Sequence, residues 1–112
     1  MQSLNTSYGV KFDGTSQSLG RFGSVSIWKF DGKGGLTASE SFNSDATGPQ
    51  TRSIVGSYEI RPDCGFTLFF PSTLGGTAHE AVGACVLVDN GNELYCLDVE
   101  AGWVATALGK RI

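Results

Sequence analysis

The chain has 112 residues, a net charge of −3 and 40% hydrophobic residues, with 16 glycines, two Trp, three Tyr and seven Phe. That is enough apolar bulk for one modest core, and too apolar and too weakly charged for a disordered chain. No run approaches the ~20 apolar residues of a membrane helix, and among the basic residues only Lys110 and Arg111 are adjacent, so neither a membrane span nor the basic stripe of a nucleic-acid binder is expected.

Ser7–Phe12 reads as a first strand, ended by Asp13-Gly14, and Gln17–Gly20 as a polar connection. Arg21–Phe30 is a longer strand with Phe22, Ser24, Ser26, Trp28 and Phe30 on one face. The glycines of Asp31–Gly35 supply a tight loop. Leu36–Phe42 returns with Leu36, Ala38, Glu40 and Phe42 on one face, set beside Trp28 and Phe30. Asn43–Gln50 contains Gly48-Pro49 and is a loop. Thr51–Ile60 carries Ile54, Tyr58 and Ile60 on one side, and Arg61–Gly65 turns the chain. Phe66–Phe70 is almost wholly apolar, as a strand buried on both faces would be. Pro71–Gly76 is a loop, Thr77–Val88 and Glu93–Val99 form a hairpin, and Trp103–Leu108 is the last strand.

The hairpin carries the strongest local signal. Asn90-Gly91 suits a type I′ turn, whose two central residues both need positive φ. That turn sets Leu87 against Leu94 and Cys85 against Cys96. Counted outward from a two-residue turn, the cysteines fall at a hydrogen-bonded pair, where the Cα atoms are farther apart. They are expected to be reduced, half-buried small hydrophobes, and Cys64, after Pro62-Asp63, to be structural.

About eight short strands in succession indicate an all-β fold, and closure into a barrel removes both sheet edges. The expected architecture is a single domain over 1–112, an antiparallel, mostly up-and-down barrel. A barrel of about that strand number is either just filled by its side chains or holds one small ligand.

Phe30-Asp31-Gly32-Lys33-Gly34, Gly56–Ile60 with Pro62-Asp63-Cys64-Gly65, and Gly102-Trp103-Val104 together resemble a group of small bacterial proteins. Those carry an FDGxG hairpin, a GxYx[IV]xPDC strand and turn, and a closing strand in the same order. The resemblance covers most of the chain from Arg21 onward. It implies a lipocalin-like (calycin) or allene-oxide-cyclase-like barrel and assigns no catalytic residue. Ser57 stands where the pattern usually has Thr, as does Phe66 after Cys64-Gly65.

Chemistry is sparse. His79 is the one histidine, and its neighbour Glu80 points to the opposite face of a strand, so the two form no dyad. One His and three scattered Cys lack metal-ligand spacing, so no metal or other cofactor is expected. Gly32–Gly35 lacks the strand–loop–helix setting of a phosphate cradle. Glu40 has two placements. Outward near the rim it is solvated, which is the plainer expectation. Inward it lies near Ser26 and Trp28, where an apolar surround lets a carboxyl act as an acid or base near neutrality, unless Arg52 neutralises it.

The leading functional expectation is a small hydrophobic molecule bound inside the barrel, lined by Trp28, Phe30, Leu36, Tyr58 and Phe70 with Arg52 as a polar contact. The alternative is a cofactor-free cyclase or isomerase that folds a flexible apolar substrate, with Glu40 or Tyr58 as the catalytic group. A third is a filled barrel acting through its surface, with a second copy of the chain as a candidate partner. The N-terminus has no basic and apolar leader, so a cytoplasmic location is expected for the chain as it stands, and a secreted one if a signal has been removed.

Overall fold

The computed structural model describes residues 5–63, 65–72 and 79–112, the side chains of residues 72 and 79 excepted. It is a closed antiparallel barrel of eight strands: β1 (Ser7–Ser16), β2 (Gly20–Phe30), β3 (Gly35–Ser44), β4 (Gln50–Ile60), β5 (Gly65–Ser72), β6 (His79–Val88), β7 (Glu93–Asp98) and β8 (Trp103–Arg111). Each strand pairs with the next in sequence, and β8 closes on β1 from Tyr8↔Arg111 to Ser16↔Trp103. Cys64 and residues 73–76 of the expected Pro71–Gly76 loop lie outside the described residues, while Pro71 and Ser72 of that loop end β5 instead, and no described helix is long and apolar enough to cross a membrane.

Alternation explains the barrel wall. Phe22, Ser24, Ser26, Trp28 and Phe30 of β2 are buried, while the residues between them reach solvent. Leu36, Ala38, Glu40 and Phe42 of β3 do the same, with Trp28 opposite Ala38 and Phe30 opposite Leu36. Asp31 shapes the loop between these strands. Its carboxylate accepts the N–H groups of Lys33 (2.6 Å) and Gly35 (2.9 Å), and those two bonds hold its pKa below the usual carboxylate value. Gly32 and Gly34 take φ of +78° and +94° there, which few other residues would tolerate.

Three features differ from expectation. β1 does not stop at Asp13-Gly14 but runs on to Ser16, because Gly14 is a point of close approach rather than a turn. A Cβ at residue 14 would lie 2.1 Å from the Val104 carbonyl oxygen. β5 is buried on one face only: Phe66 and Leu68 point inward, while Thr67 and Phe69 are half-buried on the outside.

The third correction concerns the cysteines. Cys85 and Cys96 form a disulfide, with Cα atoms 4.1 Å apart. Asn90 and Gly91 do take positive φ, of 55° and 81°, and the Asn92 N–H donates to the Asp89 carbonyl. The ladder, however, ends at Val88↔Glu93, which makes Asp89–Asn92 a four-residue loop and shifts the hydrogen-bonding alternation by one pair. The Val99 N–H donates to Val82 O (3.0 Å), so bonded pairs fall at 82/99, 84/97 and 86/95. Cys85 and Cys96 therefore occupy the close, non-hydrogen-bonded pair type.

The interior divides along the barrel axis. A large apolar cluster, built around Tyr8, Phe30, Tyr58, Phe66 and Leu94, fills the half that holds the β2–β3, β4–β5 and β6–β7 turns. Phe30 meets Tyr8, Tyr58 and Phe66 edge-on at 5.8, 5.3 and 5.8 Å between ring centroids. The Tyr8 hydroxyl donates to the Gly91 carbonyl, and burial raises its pKa. A second, smaller cluster of Leu19, Phe22, Phe42 and Ala105 closes the other end.

Candidate functional site

Between the two clusters lies a polar belt. On β2 it contributes Ser24 and Ser26, on β3 Glu40 and on β4 Arg52, with Ser26 opposite Glu40 and Glu40 opposite Arg52. Glu40 points inward and is 8% exposed, which overturns its expected solvated place at the rim. Arg52 follows it in, because a buried carboxylate without a partner is costly. The Arg52 Nε–H donates to Glu40 Oε1, and the guanidinium lies 5.6 Å from the centre of the Phe42 ring. Ser24 and Ser26 are 7% and 8% exposed, and their hydroxyls have no hydrogen-bond partner among the described residues.

A cavity of about 70 Å³ opens beside this belt. That is room for roughly five water-sized groups. Trp28, Ile54, Leu68 and Phe70 bound it from the filled half, and Phe12 and Trp103 from the other. Trp28 and Phe70 meet edge-on at 5.6 Å, and Trp103 packs on Phe22 at 5.3 Å. The mouth follows from the β4–β5 ladder. That ladder joins only Ser57–Ile60 to Phe66–Phe69, leaving 50–56 of β4 unpaired on that side among the described residues. Pro71, which lines the cavity, has no N–H with which to extend it.

The polar lining lies on two sides of the cavity. Glu40 and Arg52 balance each other on β3 and β4. Across the barrel, Asp98 at the end of β7 and Glu100 just beyond it also line the cavity, and Asp98 Oδ1 accepts the Glu100 N–H at 2.8 Å. Among the described residues no group of three His, Cys, Asp or Glu side chains is disposed to hold a metal ion. Two other depressions, over Gly23 and beside Ser39–Ser41, lie open to solvent.

Of the residues singled out from the sequence, Trp28, Glu40, Arg52 and Phe70 come together at the cavity. Phe30, Leu36 and Tyr58 do not; they are packed into the filled half, with Tyr58 against Phe30. Phe12, Trp103, Asp98 and Cys96 are among the other lining residues and were not singled out as site residues. Alternation along β1 and β7 carries a signal for Phe12 and Asp98. The closure of β8 on β1, which brings Trp103 round, has no local signature.

No protein-family model matches the chain, and no curated protein or solved structure matches it significantly.

Proposed function

We propose that the protein binds a small, mainly apolar molecule in the cavity at the β4–β5 seam. The observation that carries this reading is the cavity itself: an aromatic and aliphatic pocket with a few fixed polar groups on its wall, open where a strand ladder stops. Its size favours a compact ligand, or the compact end of a longer one that projects through the mouth. The resemblance to lipocalin-like and allene-oxide-cyclase-like barrels is in keeping with this reading.

Binding is favoured over cyclisation for two reasons. Arg52 engages the carboxylate that would have to act as acid or base, and Tyr58 packs away from the cavity. The disulfide favours an oxidising compartment, and with it the secreted alternative for location.

Both tryptophans line the cavity, so intrinsic fluorescence reports on it directly. Titration with benzyl alcohol is expected to give a saturable change, reduced in Trp28→Phe and in Trp103→Phe. An unsaturable or absent response to benzyl alcohol and to other small aromatics would remove the binding reading.

The outer face supports a second reading. Val86, Tyr95 and Leu108 lie in one cross-strand row over β6, β7 and β8, and each is 44–45% exposed. Leu97 and Val104 extend this apolar face. Such patches mark contact surfaces, and a second copy of the chain is the partner proposed for it. Sedimentation of the wild type against Tyr95→Glu would separate dimer from monomer.

A further inference from the structure

The Cys85–Cys96 bridge sits where the packed half of the barrel meets the cavity. Both cysteines belong to the large apolar cluster, yet Cys96 also lines the cavity and Cys85 does not. Cys85 stands opposite Phe66, and the two are 1% and 0% exposed, so a close-packed core holds that side. The open side is the cavity. Gly83, the next inward position on β6, lines it without a side chain. Among the described residues, an added Cβ there would come no closer than 3.8 Å to Leu68 or to the Leu97 carbonyl oxygen. Two free thiols need more room than one bridge, because atoms that are no longer bonded separate to van der Waals contact. Packing holds the Cys85 sulfur, so the Cys96 sulfur takes up the displacement, into a space of only about 70 Å³.

Resting on the reading of this cavity as a ligand site, we infer that the bridge is a redox control on it: the oxidised protein binds the ligand, and reduction to the dithiol weakens binding. The reductant is a small dithiol. Its thiolate reaches the Cys96 sulfur from the cavity and forms a mixed disulfide there, while the Cys85 sulfur leaves and takes up a proton. The second thiol of the reductant then closes on the first and releases Cys96, which is protonated in turn. The reductant ends as a cyclic disulfide, and the protein gains two electrons and two protons. Linkage makes the effect reciprocal. A ligand that prefers the bridged form by a given factor shifts the dithiol–disulfide equilibrium toward the bridge by the same factor.

The test uses the wild-type protein and benzyl alcohol, read by calorimetry. Affinity is expected to fall about tenfold on full reduction with dithiothreitol, with the far-ultraviolet circular dichroism unchanged. In buffers poised with reduced and oxidised dithiothreitol, saturating benzyl alcohol should shift the midpoint toward the bridged form by that factor. Cys85→Ala with Cys96→Ala also lacks the bridge but has no thiol to intrude, so it should bind at least as tightly as the oxidised wild type. If that variant does not fold, the two wild-type titrations still decide. Equal affinity of the bridged and reduced forms, an equal loss of affinity in the alanine pair, or unfolding on reduction overturns the inference while sparing the cavity reading. Failure of the oxidised protein to bind benzyl alcohol or other small aromatics overturns both.

Discussion

The two halves of this barrel are built from the same strands and do different things. On β2, Trp28 and Phe30 sink into a packed aromatic cluster, whereas the hydroxyls of Ser24 and Ser26, four and two residues upstream of Trp28, have no hydrogen-bond partner among the described residues. On β3, Leu36 and Ala38 belong to the filled half and Glu40 to the open one. A barrel with only a structural role would place apolar residues at all these inward positions, since a half-satisfied polar layer stabilises less than an apolar one. The contrast is why the proposed site is set at the belt: one half is packed apolar core and the other retains polar groups at a cost in stability.

That contrast can be broken by mutation. The largest loss is expected in the filled half, where Phe66→Ala should cost about 4 kcal/mol in chemical denaturation, because Phe66 is fully buried. A cost below about 1 kcal/mol would mean that the packed half is not packed. Removing the bridge with Cys85→Ala and Cys96→Ala together, or reducing it, should cost about 2–3 kcal/mol, given a closed loop of 11 residues' separation. Arg52→Met should cost about 2 kcal/mol by stranding the Glu40 carboxylate. The double variant Glu40→Leu with Arg52→Met should recover most of that loss, and a purely additive result would deny the pair its coupling.

Smaller effects sharpen the same contrast. Ser26→Ala should leave stability unchanged or raise it by up to about 1 kcal/mol, because its hydroxyl gains nothing in the free protein. Last comes acid. Asp31, Asp45 and Asp63 have pKa values lowered chiefly by hydrogen bonds, from backbone N–H groups for Asp31 and Asp63 and from Arg21 for Asp45. Stability from groups lowered in this way is present above the unfolded Asp value of about 3.9 and is lost as pH falls through the folded values. Melting temperature should therefore drop below about pH 4, and Asp31→Asn should flatten part of that drop.

Much of the wall was legible because alternation is a local signal. Which residues share a face on β2 and β3, Glu40 with Leu36, Ala38 and Phe42 among them, follows from spacing alone, and so does the Cys85–Cys96 register. Whether Glu40 turned inward was not legible, because that depends on Arg52 arriving from the next strand to compensate it. Placing the cavity also required the third dimension. Phe30, Leu36 and Tyr58 share faces with Trp28, Glu40 and Ile54, and only the position of each along the barrel axis separates packed core from cavity wall. The disulfide was missed through one local assumption, a two-residue rather than a four-residue loop, which inverted the pair type at the cysteines. Trp103 reaches the site only through closure of β8 on β1, a contact with no local trace in the chain.

The central claim is that the belt between the two clusters, and not the packed half, receives a ligand. The most direct measurement is a two-dimensional NMR titration with benzyl alcohol, following the two indole N–H signals of Trp28 and Trp103. Both should shift along a single saturating curve, while the backbone amides of Phe30, Tyr58 and Phe66 stay in place. Indole signals that remain fixed at saturating compound, or shifts centred on Phe30 and Phe66 instead, would contradict the account.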